Sequence, residues 1–598
     1  MNSAKRILKL ALLQEAQEKN KDQNEQIDDL NDQIERCDQL ESDAESEHEL
    51  HDTDSEQSDC ETVGDEFETV DELQPPEGEI FFNNTPIFRG KDKKTMWFKH
   101  APKVYGRTKI QNLVVKIPGV KGIAREAKTP LECWKLFFPD DSIQEIVDYT
   151  NVYLGLMRKN YGRGRDCPDT NYDEIYALLG LLYLTGVKKS QDVDISELWT
   201  DDGTGPECFR STMSYRRFYT LLRALRFDDH TDINIRMAQD NLAPIRKQFD
   251  GFVERCKENY QIGLYGTVDE MLEAFRGRCK FRKYIANKPA KYGIKIYALV
   301  DSTTFYTSNL EIYAGKQPDG PYRVDNSTIS VVKRIIAPVL NTGRNITMNN
   351  YFTSISLVNN LILNHRTTVV GTLRSNEGEI PLEFVKIKER PIRSSMFAYS
   401  QKSVLVSYIP KKGKNVLLLS SLRHDDGAID ETTGKPEIIS FYNVTKGAVD
   451  VVDEMKTLYS VSRVKCRWPL TIYFSMLDIG GINSHIVYKA NNNKTEERRV
   501  FLKELALSLM KPHLINRLTI PHLPLSFRNS IAKIAKITLP NSSQPGPSDI
   551  QYCSFCPRRK NKRVKKNCNS CHRPICPQHS SYTCVMCVAA NYEHMDID

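Results

Sequence analysis

The sequence predicts an α/β core flanked by helical segments and followed by a short cysteine-rich tail. Three observations predict it. Between residues 263 and 373, β-branched and aromatic runs alternate with amphipathic helical stretches, as expected of a sheet with helices on its faces. On either side, from 130 to 262 and again from 436, apolar residues recur at helical spacing. Seven of the 15 cysteines then fall between Cys553 and Cys587.

Composition bounds the rest. A chain of 598 residues has room for about three or four domains, and an apolar fraction of 40% supplies a core. The net charge of +6 hides a split: residues 38–79 carry 18 acids and no Lys or Arg, so the remainder carries +24. A basic body with an acidic tail points to a nucleic-acid partner. Scattered cysteines with one cluster fit a reducing compartment, not a secreted disulfide framework. No apolar run approaches the roughly 20 residues that span a bilayer. The ILKLALL run near the start is interrupted by Lys9 and lacks a cleavage site, so it is read as a short amphipathic helix and the protein as soluble and intracellular, with no membrane partner.

Taken in order, residues 1–85 are expected to be a disordered, acidic N-terminal region, because Asp, Glu, Ser and Thr cannot bury enough surface to offset ordering entropy. Within it, Ile27, Leu30 and Ile34 mark at most a weak helix. Residues 86–129 form a basic arm with Trp97, Phe98 and Tyr105 among the cations; the aromatics favour contact with a phosphate backbone over a plain linker. Residues 130–262 are helical. The segment 263–374 supplies the strands YGTVDEML, YGIKIYALVDS, FYTSNLEIYAG, RNITMNNYF and TTVVGTL. Residues 375–435 read as a β-rich insertion. Residues 436–457 return to helix, 458–536 continue as helix, 537–551 are a Ser- and Pro-rich linker, and 552–590 hold the cysteines.

One stretch concentrates chemistry. Asp269 and Glu270 end a β-branched run and are followed by a cationic segment that includes Arg276, Arg282, Lys288 and Lys291, interleaved with aromatics. Carboxylates beside cations and aromatics suit a polyanion on which metal-dependent phosphodiester chemistry is done. Such chemistry gathers sequence-distant acids around Mg²⁺. Asp450 and Asp453 stand three apart on one helical face, just after Gly447, although an exposed acidic face is common. Arg374, just after VVGTL, is read as a phosphate contact. Trp468 could stack on a displaced base or pack in the core.

The tail is the sharpest local signal. Cys553, Cys556, Cys568, Cys571, Cys576, His579, Cys584 and Cys587 form four pairs, each spaced by two residues. Thiolates and imidazole at these spacings suit two structural Zn²⁺ ions, with disulfides as the alternative. A crossed pairing, as in RING and PHD domains, puts Cys553, Cys556, Cys576 and His579 on one ion and Cys568, Cys571, Cys584 and Cys587 on the other. The basic run PRRKNKRVKK between the pairs reads as a nuclear import signal, a DNA-binding loop, or both.

The block FRGRCKFRKYIANKPAKYGIKI, together with PLECWKLFF, TNYDEIYALLGLLYLTGVKK, NNYFTSISL, GTLRSNEGEIP, YNVTKGAVDVVDEM and RWPL in order, resembles the piggyBac transposases from about Pro130 to the cysteine cluster. The resemblance implies an RNase H-like catalytic domain with a β-rich insertion. It also implies a flanking helical domain that dimerises and binds DNA, and a cross-brace zinc domain that binds element DNA. It implies cut-and-paste chemistry on transposon ends at TTAA targets in the nucleus. Asp269, Asp450 and Asp453 match the family's catalytic acids. Asn349 stands where the family has an Asp before Asn-Trp/Tyr-Phe. An amide brings no net charge, so cleavage is expected to be impaired and the Mg²⁺ site weakened. The alternative is an active enzyme, with a partial rescue from another acid such as Asp301. Glu377, where the family can have Lys, would weaken a basic groove.

Overall fold

The computed structural model describes residues 80–538 and 551–580, apart from 83–84, 102–113, 115, 192, 287, 289, 389, 423–428, 431–432, 464–466, 561 and 569–571. The expected N-terminal helix and acidic segment lie outside these residues, as do Tyr105 and most of the linker. The chain divides into two compact units, Met1–Asn516 and Arg517–Asp598.

The strands of the first unit, in chain order, are β1 (Ile80–Phe82), β2 (Thr85–Arg89), β3 (Met96–Phe98), β4 (Gly119–Val120), β5 (Tyr260–Gln261), β6 (Tyr265–Ala274), β7 (Arg282–Tyr284), β8 (Tyr292–Asp301), β9 (Thr307–Ile312), β10 (Asn345–Met348), β11 (Thr368–Thr372), β12 (Ser395–Tyr399), β13 (Val404–Lys411) and β14 (Lys414–Ser420). All but β4 and β5 form one 12-stranded sheet, in the order β1-β2-β3-β12-β13-β14-β11-β10-β6-β8-β7, with β9 also on β8. At its heart β9, β8 and β6 are antiparallel, while β10 and β11 run parallel to β6.

This register positions the site. Side chains alternate across a strand, so Val268 on β6 faces one side and Thr267, Asp269, Met271 and Glu273 the other. Val268, Leu299, Ile346, Met348 and Val369 pack on the first side against Val332, Ile335, Val358 and Leu361 from the helices Thr328–Ile335 and Ile355–Asn364. On the second side lie the helices Glu437–Thr445 and Ala448–Leu458. Thr267 Oγ1 donates to the Thr445 carbonyl at 2.6 Å, and the Thr347 and Thr445 hydroxyls meet at 2.8 Å. These bonds pin the two helices over β6 and β10.

The helical segments before and after the sheet meet in a common core. Thr129 and Glu132 form a capping box that starts the helix Pro130–Lys135. Trp134 Nε1 donates to Tyr183 Oη at 2.9 Å, and that hydroxyl donates to the Leu477 carbonyl at 2.8 Å. Tyr183 lies on the helix Tyr172–Val187, buried from Ile175 to its end, and Leu477 on the helix Trp468–Asn492. Among the described residues, no helix is long and apolar enough to cross a membrane.

The basic arm differs from its expected form. Its β2–β3 hairpin joins the sheet through Phe98 opposite Tyr399 on β12. Trp97 is 1% exposed, lies in the main core and donates its Nε1–H to the Glu379 carbonyl at 2.9 Å. The aromatic that argued for a nucleic-acid arm is a core side chain, because a strand alternates its faces and one face here is buried. Lys99 sits over the Phe88 ring at 5.3 Å.

Candidate functional site

β6 and β10 run parallel with Met348 opposite Val268. The next residue on each strand is therefore Asn349 and Asp269, side by side where β10 ends. Asn349 Nδ2 donates to Asp269 Oδ1 at 3.0 Å, and the same oxygen accepts the Glu270 N–H at 2.9 Å. The other end of the amide is also committed: Asn349 Oδ1 accepts the Tyr351 N–H at 2.9 Å. The Asn349 carbonyl accepts from Thr353 Oγ1 at 2.8 Å. A Cβ on Gly371 of β11 would lie 2.2 Å from that Thr353 oxygen, so only glycine lets the turn seat there.

The helix Ala448–Leu458 brings the other two acids over β6. Asp450 lies in its first turn and pairs with Lys288 Nζ at 3.2 Å. A Cβ on Gly447 would meet nothing within 4 Å, so that glycine is not required for a close approach. Asp453 Oδ1 accepts from Lys456 Nζ at 3.1 Å, and the buried Lys456 ammonium also pairs with Glu273 on β6. Ser475 Oγ donates to Glu273 Oε1 at 2.7 Å, tying in the helix Trp468–Asn492. Burial, then Glu270 and Asp450, pushes the Asp269 carboxyl well above its ordinary value. Burial, opposed by Lys456, raises that of Asp453. Lys288 titrates above the usual lysine value despite its burial, because the charges of Asp450, Asp269, Asp453 and Glu270 act on it.

A divalent cation can be tested against this arrangement. The Lys288 ammonium already stands in for a positive charge among the acids. Glu270 does not join them: next to Asp269 on β6 and opposite Tyr297 of β8, it alternates to the other face of the sheet, where its Oε2 is buried without a hydrogen-bond partner. The acids fit a cation on the Asp450 side. Toward Asn349 they do not, because that residue presents N–H, not oxygen, to Asp269. The acids are also open: among the described residues, the one group of three or more His, Cys, Asp or Glu whose ligand atoms lie within 4.8 Å of one another is in the tail.

Around this pocket the expected phosphate contacts divide. Arg276, Arg282, Lys291 and Arg374 are exposed. Arg282 lies over the Tyr292 ring at 5.4 Å. Arg374 and Lys295 flank the Tyr351 ring at 5.8 and 4.3 Å, two residues from Asn349. Lys288, expected on DNA, instead lies in the acid pocket. Trp468 is half-buried and meets Phe281 edge-on at 5.0 Å. Glu377 sits with Lys91, Arg374 and Glu379. Burial first, then Glu379, pushes its carboxyl to about 7, although the Ile355 N–H at a helix start opposes the rise.

Asp301 cannot supply the missing charge. It lies on β8 three residues beyond Ala298, the partner of Asp269, and therefore on the opposite face. Its carboxylate accepts backbone N–H groups of Gly263 at 2.7 Å and Thr303 at 2.8 Å.

In the tail, β15 (Gln551–Tyr552) and β16 (Arg563–Val564) form a hairpin around the basic run. Cys553, Cys556, Cys576 and His579 converge. Cys556 and Cys576 sulfurs are 3.7 Å apart, and His579 Nδ1 lies 3.6, 3.7 and 3.2 Å from Cys553, Cys556 and Cys576. The edges of a tetrahedral Zn²⁺ site would be roughly 3.8 Å between sulfurs and 3.6 Å from sulfur to nitrogen. Donor set and spacing are compatible with zinc. Burial works against the Cys553 thiolate, but N–H groups of Phe555 and Cys576 bring it down to about 6. Of the second set, Cys568 is buried beside Ile575, and Cys571, Cys584 and Cys587 lie outside the described residues.

Sequence reasoning missed Glu273 and Lys456. The period-two pattern from Asp269 puts Glu273 on the same face, and Lys456 is three residues after Asp453, so spacing alone could have found both.

Residues 129–485 match the family described as Transposase IS4. The chain is 24% identical over 371 residues to human PiggyBac transposable element-derived protein 3, covering 58% of this chain and 60% of that one. It has the same identity to the human Chimeric ERCC6-PGBD3 protein, covering 34% of it. The chain thus spans less than two thirds of either curated relative. Among solved structures, a cryo-EM structure of a piggyBac transposase synaptic complex with hairpin DNA superposes with a TM-score of 0.71 at 38% identity, covering 79% of this chain and all of that one.

Proposed function

Because the chain belongs to the piggyBac transposase family, we propose that it is a transposase-derived protein that binds double-stranded DNA at transposon ends as a nuclear homodimer, with strand cleavage strongly impaired. One observation carries the impairment: Asn349 donates an N–H to Asp269, where the chemistry calls for a second carboxylate. Asp269, Asp450 and Asp453 would hold Mg²⁺, which when bound supplies Lewis-acid stabilisation of the phosphoryl oxygens. The chain's own groups do the rest. Arg374, Arg276, Arg282 and Lys291 offer an exposed cationic surface for the phosphate backbone, while Lys295, an odd number of residues from the partner of Asp269, lies with the Tyr351 ring on the other face of the sheet. Asn349 adds no charge to a site that must balance a dication, so binding outlasts cutting.

The gathering of Asp269, Asp450 and Asp453 favours the second reading, an active Mg²⁺-dependent enzyme cutting and joining at TTAA sites. An excision assay in cells on matched element ends separates the two, comparing the native chain with Asn349→Asp. Little excision by the first and a clear gain by the second is the expected result. Equal, robust excision by both rejects the impairment.

A further inference from the structure

We propose, resting on the reading above, that the acid pocket seats a single divalent cation between Asp269 and Asp450, in place of the Lys288 ammonium, and has no seat for a second. Asp269 has two unlike sides. Toward β10 its Oδ1 already accepts two N–H groups, from Asn349 at 3.0 Å and Glu270 at 2.9 Å. The Asn349 amide oxygen is spent on the Tyr351 N–H at 2.9 Å. That side offers a cation no uncommitted anionic oxygen.

The other side is different. Lys288 Nζ reaches Asp450 Oδ1 at 3.2 Å and is drawn by Asp269 and Asp453 as well. One ammonium against the two carboxylates Asp269 and Asp450 leaves the pocket short of positive charge. A dication brings twice the charge and takes six or more oxygens, which suits several carboxylates better than three ammonium hydrogens do. Exchange is mechanically simple. The Lys288 backbone is held in a tight turn, its N–H on the Ile285 carbonyl at 3.2 Å and its carbonyl accepting the Lys291 N–H at 3.0 Å. The flexible stem can swing out while the turn stays in place. Lys288 thereby becomes a competitor for the cation and, once displaced, a free positive charge at the pocket mouth.

The test is Mn²⁺ binding to the full chain with its tail supplied with zinc, read from the free-Mn²⁺ electron paramagnetic resonance signal. Sites lost in Asp450→Asn define the pocket ions. The native chain is expected to hold one. Lys288→Gln should tighten that site by about tenfold or more, because a neighbouring positive charge is removed. Lys288→Arg, on the same turn and with the same charge, should not. Asn349→Asp should bind two. Two pocket ions in the native chain, or none, overturn the proposal, as does unchanged affinity in Lys288→Gln. Two ions without excision would remove this inference and leave the impaired-site reading intact. One ion with robust excision would do the reverse.

Discussion

Asn349 and Asp269 are joined directly, amide to carboxylate, at 3.0 Å across adjacent parallel strands. An Asp at the same place would set two carboxylates against each other at that distance. Asn349→Asp should therefore lower stability by about 1–3 kcal/mol without divalent metal. Added Mg²⁺ or Mn²⁺ should restore most of the loss. Thermal melts with and without the ion check both halves, and a variant as stable as the native chain in chelator would show that the bond carries no weight.

Lys456 is buried between Glu273 and Asp453. Lys456→Met removes the cation and strands two acids, which should cost about 3–5 kcal/mol. Glu273→Gln placed on top should recover part of it. Urea unfolding of the two variants measures this, and a Met variant within about 0.5 kcal/mol of native would mean the network is solvated.

Trp97 argues against its own first reading. As a core residue its replacement by Ala should destabilise by about 3–5 kcal/mol. Replacing the exposed Lys93 and Lys94 should leave stability unchanged and flatten the salt dependence of DNA binding. A Trp97→Ala chain that melts normally but loses DNA would restore the basic-arm interpretation.

Glu377 gives a pH signature. Its folded value of about 7 lies above the ordinary 4.5, so the folded state holds the proton more tightly. The associated stability is full below the ordinary value and is lost as pH rises through the folded one. Glu377→Gln, a mimic of the protonated form, should gain on the native chain between about pH 4.5 and 7. Parallel melting curves across that window would contradict it.

Zinc should hold the tail together. Among the described residues of this segment, the apolar contacts are Cys553, Val564 and Cys576 with Phe555 and Cys556, and Cys568 and Ile575 with Phe555, too few to fold them unaided. A strong zinc chelator should release about two Zn²⁺ per chain and raise amide exchange across 551–580, leaving β6 and β10 protected. Disulfides instead of metal would leave exchange unchanged by the chelator.

These cases show what was legible in the residues and what was not. The strand alternation around Val268 and Asp269 is a local pattern, and so is the spacing of the cysteine pairs; both could be read directly. The place of Trp97 was not local. It depends on β3 pairing with β12, some 300 residues away in the chain. Lys288 looked like any cation in a basic run, since nothing in its neighbours shows that the helix Ala448–Leu458 will bring Asp450 to it. Asp301 carries a charge of the right kind, but its register, an odd number of residues from the partner of Asp269, puts it on the wrong face.

The most direct measurement is nicking of a labelled transposon-end duplex by purified protein in Mg²⁺, with the native chain and Asn349→Asp compared at equal DNA occupancy. The native chain should bind the end and leave both strands intact, and the variant should nick it. Nicking by the native chain at the rate of the variant would contradict the claim that Asn349 disables the site.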